Sequence, residues 1–197
     1  VAVDRVPVLK RCRSLGLEPG YMGLDKKSNR ELKRSNHKMS EYGGQMREKQ
    51  KAKFIYGVLE KPFRNYFAKA SAMKGQVGEN LMILLECRLD NVIFRMGIAR
   101  TRKEARQIVD HRHVTVNGKI VNIPSYEIKA GDAIEIREKA KSSTRYKEIL
   151  EQTNGRVIPA WLEVEKDALK GTVKSLPTRS EIDVPVDELQ IVELYSK

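Results

Sequence analysis

Cysteine is nearly absent from this 197-residue sequence: Cys12 and Cys87 are the only two. Two cysteines, with no secretory-type apolar run in Val1–Lys10, argue against a disulfide framework and for free thiols in a reducing compartment. No stretch approaches the roughly 20 consecutive apolar residues that a membrane span needs. Phosphate-binding glycine loops, dinucleotide-binding glycine patterns and the zinc-protease helix signature are also missing, and no nucleophile stands in a recognisable setting. These absences count against a membrane-spanning protein and against the common enzyme classes. Negative charge is the remaining shortage. The chain has 26 acidic residues against 38 basic ones, a formal net charge of +12. Such a surface attracts polyanions, so nucleic acid and anionic membrane are the candidate partners. The basic segments lack a strong apolar opposite face, which disfavours the membrane.

The positive charge is concentrated. Residues 1–53 hold 14 basic and 6 acidic residues, residues 91–138 hold 9 and 6, and residues 139–197 hold 10 of each. Residues 1–39 form a basic N-terminal extension with little periodicity, punctuated by Gly16, Pro19, Gly20 and Gly23. Such a segment buries too little apolar surface to order itself, so its order is expected to come mainly from a partner. Lys10, Arg11 and Arg13, with Arg47, Lys49, Lys51 and Lys53 further on, read as a wrapping, phosphate-neutralising surface.

Residues 40–97 read as helical. Ser40 is a candidate N-cap, Gly57 a break, and Pro62 suits the first turn of the next helix. Phe63, Tyr66, Phe67, Ala70 and Met73 form an apolar stripe at helical spacing, as do Leu89, Val92, Ile93 and Met96. Thr101 to Glu104 matches a capping box and opens a short helix with Ala105, Ile108 and Val109 inward. Asn117-Gly118 between β-branched runs signals a hairpin, and Ala133 to Ile136 a further strand. Arg145 to Gln152 is a plausible helix. The closing Ile191-Val192-Glu193-Leu194-Tyr195 reads as a docked strand.

The short helix after Thr101 carries the most specific chemistry. Arg100, Arg102 and Lys103 cluster at its N-terminus, where the helix dipole disfavours cations. Free N–H groups plus basic side chains make a ready anion site. At about 100° per residue, Arg102, Lys103 and Arg106 share one arc, opposite the apolar one. That arc is expected to meet phosphates, so charge reversal at Arg102 and Arg106 should spare the fold. His111 and His113 follow. Contacts to nucleic acid, a purely structural role and a metal site are all open for them, though a metal would need further ligands that are not near in sequence.

Residues 88–137, from Arg88-Leu89-Asp90-Asn91-Val92 through Arg100-Thr101-Arg102-Lys103-Glu104-Ala105-Arg106 to Val116-Asn117-Gly118 and Ile123-Pro124-Ser125-Tyr126, resemble a widespread RNA-binding module. The likeness extends to Ser40-Glu41-Tyr42-Gly43, Arg47-Glu48-Lys49-Gln50-Lys51, Gly78-Glu79-Asn80-Leu81 and the closing Ile191 to Lys197. Over most of residues 40–197 the sequence is similar to the universal family of small-subunit ribosomal protein number four, bacterial type. The resemblance implies direct binding to small-subunit ribosomal RNA, an early role in subunit assembly, and contact with ribosomal protein number five that influences decoding accuracy. It also implies proximity to messenger RNA at its entrance, where Lys33, Arg34 and Lys38 fall near the family's basic residues. Some members hold their N-terminal segment with a four-cysteine zinc site. Only Cys12 is available here, so no metal and no cofactor are expected.

The expected fold class is α+β: a helical domain plus a small helix-pair and β-hairpin RNA-binding module, with an extended basic N-terminal segment and an extended C-terminal tail. The expected partition is 1–39 for the extension, 40–87 for the helical domain completed by tail residues 151–197, and 88–150 for the module. Thr101, as the cap of the basic helix, joins the expected RNA-binding residues. The expectation is a binding protein in the cytoplasm, within the ribosome, that neither catalyses nor self-associates in its working state. The competing reading is an RNA-modifying enzyme of the pseudouridine synthase type, which shares only the module and needs a separate catalytic domain.

Overall fold

A computed structural model describes residues 6–26, 29–30 and 39–196. In chain order the helices and strands are α1 (Val8–Leu15), α2 (Glu41–Tyr56), α3 (Glu60–Ala72), α4 (Val77–Glu86), α5 (Leu89–Arg95) and α6 (Arg102–Asp110), then β1 (Val114–Val116), β2 (Lys119–Ile120) and β3 (Ala133–Ile136). They continue with α7 (Glu138–Lys141), α8 (Thr144–Thr153), β4 (Leu162–Glu165), β5 (Lys170–Val173) and α9 (Glu188–Tyr195). The mixture is α+β. Two compact units divide it: Val1–Met82 with Asp183–Lys197, and Ile83–Ile182. The division falls within α4.

The first unit is helical. Ser40 caps α2 by accepting from Gly43 N at 3.2 Å, and Gly57 ends it in the left-handed region at φ 63°, where a Cβ would be strained. Asn80 satisfies the carbonyls at the end of α3, donating to Ala70 O and Lys74 O at 3.3 and 3.2 Å. The N-terminal extension departs from expectation. Val8–Leu15 forms a helix and Pro19–Met22 a tight 3₁₀ turn, burying Cys12, Leu15, Leu17 and Met22. Val8, Cys12 and Leu15 lie at helical spacing and Gly16 stops the run at φ 67°, so this part has an apolar face to pack.

The chain end is also corrected. Residues 188–195 form a helix, α9, rather than a strand. Asp187 sets its start, accepting from Leu189 N at 3.1 Å and from Gln190 Nε2 at 2.8 Å. That cap outweighs the β preference of Ile191 and Val192. α9 docks on α2: Gln45 Nε2 donates to Glu193 at 3.0 Å, and Asp187 N donates to Glu48 at 3.0 Å. A Cβ on Gly78 would stand 2.7 Å from Glu188 Cγ, so the close approach here requires glycine.

The second unit packs α5, α6 and α8 against a five-stranded antiparallel sheet of order β2-β1-β3-β5-β4. Asn117 and Gly118 turn the β1–β2 hairpin with φ of 50° and 75°, the two positive values of a type I′ turn. Leu89, Val92 and Ile93 from α5, Met96 just after it, and Ala105, Ile108 and Val109 from α6 meet Val114, Ile134 and Ile136 from the sheet in one core. Residues 151–182, expected to complete the helical domain, belong to this unit. The reason is the β4–β5 hairpin, which extends the sheet through β3, and Trp161, which is 2% exposed in its core. Gly171 permits this: a Cβ there would lie 2.5 Å from Met96 Cε and 2.9 Å from Glu163 O.

Candidate nucleic-acid interface

The sequence places the basic residues of the second unit around α6, and the structure treats its two ends differently. At the N-terminal end, Thr101 accepts from Glu104 N at 3.2 Å. The reciprocal half of the box is displaced by one residue, because Glu104 takes the N–H of Arg100 at 2.8 Å. Glu104 also binds the Arg100 guanidinium at 2.9 and 3.1 Å and Arg145 at 3.0 Å. Burial would push the Glu104 carboxyl up, but the hydrogen bonds from Arg100 and Arg145 outweigh it and hold it below its ordinary value. The carboxylate therefore offsets much of the charge gathered there.

The arc of Arg102, Lys103 and Arg106 is divided. Lys103 is exposed, while Arg102 is 6% exposed and donates through Nε to Asn91 Oδ1 at 2.7 Å. Its guanidinium also lies 4.3 Å from the Phe94 ring centroid. Arg106 donates to Asp90 at 2.9 and 3.1 Å, and Arg88 forks onto the same carboxylate at 2.7 and 3.0 Å. Glu86 completes the network, bound by Asn91 and by Arg95 at 2.8 and 3.1 Å. Arg102 and Arg106 thus fasten α6 to the start of α5. Reversing their charge would take from Asn91 its Arg102 donor and set a like charge against buried Asp90, which would keep only Arg88, so the reversal should cost stability, contrary to the expectation that it spares the fold. Helical spacing placed them on one arc correctly but could not reveal the acid facing it.

The C-terminal end of α6 is the opposite case. Arg112 takes a left-handed φ of 60°, turning His111-Arg112-His113 around the helix end while their N–H groups bond back to Gln107, Val109 and Ile108. Arg137 N donates to His113 O at 2.8 Å, and the Arg137 side chain donates to Arg112 O at 3.2 Å. His111, Arg112, His113, Arg137, Lys139 and Ala140 line a shallow concavity of about 130 Å³. No carboxylate lines it. The nearby acids Glu135 and Glu138 are both held by Lys141. His113 Nδ1 is buried with no hydrogen-bond partner among the described residues. Burial pushes the His113 pKa down, and His111, Arg145 and Arg137 push it the same way. The concavity is a preorganised cationic surface at the helix end where the dipole supports cations. Sequence reasoning picked out His111 and His113 but missed Arg112, Arg137 and Lys139. Only the strand pairing of β1 with β3 brings residues 137–139 to residues 111–113.

In the first unit the expected basic surface is largely self-compensated. Lys49 and Lys53 bind Glu60 at 3.1 and 2.6 Å, and Lys51 binds Glu48 at 2.5 Å. Burial alone would raise the Glu60 carboxyl, but Lys53 and Lys49 hold it at about 2. Arg47 donates to Leu15 O at 3.3 Å and Arg11 to Gln50 at 3.1 Å, both serving the packing of α1 on α2. Lys10 is exposed, and Arg13 half-buried. Lys33, Arg34 and Lys38 lie outside the described residues. Among the described residues no three His, Cys, Asp or Glu side chains gather as metal ligands.

Two family models match the chain in succession. Residues 5–86 match the Ribosomal protein S4/S9 N-terminal domain, and residues 87–134 match the S4 domain. Over its whole length the chain is 73% identical to the small ribosomal subunit protein uS4 of Lachnospira eligens and 70% identical to that of Agathobacter rectalis, covering all of each. It is 50% identical to the uS4 of Pseudomonas aeruginosa over 93% of this chain and 91% of that one. With both domain models matched in order and full-length relatives at this identity, the chain belongs to the family of the small ribosomal subunit protein uS4.

Proposed function

We propose that this protein is a constituent of the small ribosomal subunit, in the cytoplasm, and that it binds the subunit's ribosomal RNA directly and catalyses nothing. The observation that carries the reading is the acid-free cationic concavity at the end of α6. It is held by backbone hydrogen bonds to helix and strand, so its charges are positioned before RNA arrives. Exposed Lys103 extends the contact within the same unit, Thr101 serves it by capping the helix, and exposed Lys10 offers a separate contact from the first unit. Phosphate contacts of this kind position a protein on RNA, while the shape of the folded RNA supplies specificity. Early binding that nucleates subunit assembly fits a chain whose RNA-facing groups are rigid. Contact with ribosomal protein number five, an influence on decoding accuracy, and approach of Lys33, Arg34 and Lys38 to messenger RNA at its entrance belong to the same proposal. So does a single copy per subunit rather than a homo-oligomer.

The test is binding of the purified chain to small-subunit ribosomal RNA across a salt series. With about six to ten phosphate contacts, affinity falls about 10³- to 10⁵-fold between about 50 and 200 mM salt. A flat salt profile, or native chain recovered from cells free of small subunits and unable to join them, overturns the reading.

A further inference from the structure

We propose that the concavity lined by His111, Arg112, His113, Arg137 and Lys139 is a seat for a single phosphate group of the RNA backbone, with His113 as its innermost donor. The proposal deepens the reading of direct RNA binding and rests on it. Three independent features support it. The lining is wholly cationic or imidazole apart from Ala140, and Glu135 and Glu138 are occupied by Lys141. The backbone around it is fixed, through Arg137 N to His113 O at 2.8 Å and the left-handed turn at Arg112. His113 lines the concavity with a ring whose closed-off Nδ1 makes no hydrogen bond to the described residues, so no internal partner sets the charge of the ring. The seat also reaches past the matched S4 domain, which ends at residue 134, because Arg137 and Lys139 lie beyond it.

Seating a phosphate here takes up a proton. The groups facing His113 are His111 and Arg112 from its own turn, Arg137 and Lys139 from the β3–α7 junction, and Arg145 from α8; the acids of the same stretches are Asp110 at the end of α6 and Glu135 and Glu138, the last two bound by Lys141. Burial first, and then His111, Arg145 and Arg137, hold the His113 pKa below its ordinary value. A phosphate in the concavity reverses that balance by placing negative charge beside the ring, which raises the pKa. The linkage sign follows. When the bound form holds a proton that the free form lacks, affinity rises as pH falls, by at most about tenfold per pH unit for one proton. The protonated ring then donates to a phosphate oxygen as a charge-assisted hydrogen bond.

The experiment measures affinity of the full chain for small-subunit ribosomal RNA at pH 5.5 and 7.5 and constant ionic strength, for the wild type and His113→Gln. The wild type should bind about three- to tenfold tighter at the lower pH, and His113→Gln should lose most of that gain. In parallel, NMR titration of the wild-type imidazole resonances should show the His113 pKa rising on addition of the RNA, and a smaller rise with inorganic phosphate. This second measurement stands even if His113→Gln does not fold. Tight RNA binding with an unchanged pH dependence in a folded His113→Gln, or an unmoved His113 resonance in the complex, overturns the seat alone. A His113 response to inorganic phosphate with none to RNA leaves an adventitious ion only and also overturns it. Failure of the wild type to bind the RNA at either pH overturns the parent reading and the seat together.

Discussion

The two ends of α6 carry similar numbers of basic residues and use them in opposite ways. At the N-terminal end, Arg100, Arg102 and Arg106 are engaged by Glu104, Asn91 and Asp90, and two of the three are turned toward the protein's own interior. At the C-terminal end, His111, Arg112 and His113 meet Arg137 and Lys139 across a surface that no carboxylate lines. The difference teaches that clustered cations in a sequence do not mark an interface until their counterions are located. A buried acid one helix away converts an apparent phosphate site into a structural clasp. Cations gathered with no acid beside them repel one another and store that cost until a polyanion relieves it.

This contrast can be broken most severely at Asp90. Asp90→Ala strands Arg88 and Arg106 beside α5 without their shared carboxylate. It should cost about 3–5 kcal/mol of stability, the range for one partner removed from a buried pair, read from the urea midpoint. A loss below about 1 kcal/mol would mean that the clasp behaves like a surface pair. At the other end, the double reversal Arg112→Glu with Lys139→Glu should leave the urea midpoint within about 0.5 kcal/mol of wild type. It should weaken RNA binding by about ten- to a hundredfold and reduce the salt slope by about 1, for the one phosphate contact that the concavity makes. An unchanged slope removes the concavity from the interface.

Glu104→Gln sharpens the comparison by making the first end resemble the second. With Arg100 and Arg145 released, RNA affinity at low salt should rise about two- to fivefold, with a steeper salt dependence. Unchanged RNA affinity would show that those arginines lie away from the RNA. The smallest effect belongs to Glu60. Its carboxyl is held at about 2 against an ordinary 4.5, so the stability it contributes is fully present above about 4.5 and is lost as pH falls toward about 2. Glu60→Gln should flatten that part of the acid-unfolding curve. The change should be no more than about 1 kcal/mol, since the side chain is 44% exposed and the ion pairs are screened by solvent. An identical acid profile in the variant would show that Lys49 and Lys53 do not stabilise the carboxylate.

Much of the fold was legible before the structure. The Asn117-Gly118 hairpin, the strand at Ala133–Ile136, the cap at Ser40 and the inward set Ala105, Ile108 and Val109 all follow from local chemistry: turn residues, caps and periodicity. The α+β class was legible for the same reason, whereas the RNA-binding module was legible from the resemblance of residues 88–137 to a known family. Less visible were α1, whose apolar residues at positions 8, 12 and 15 sit in a strongly basic context, and α9, whose β-branched centre masks the Asp187 cap. The β4–β5 hairpin was missed because its strands are short and gain their pairing from β3, far away in the chain.

By itself the sequence determined the net positive charge, the helix and hairpin boundaries set by Ser40, Thr101, Asn117 and Gly118, and the apolar faces that had to be buried. These are properties of neighbouring residues, and neighbours are what a sequence specifies. Only the tertiary structure decided which cations remain available. Asp90 lies 16 positions from Arg106, and His113 lies 24 from Arg137. Charge compensation depends on distance in space, so folding alone could turn Arg102 and Arg106 inward and gather His111, Arg112, His113, Arg137 and Lys139 on one uncompensated surface.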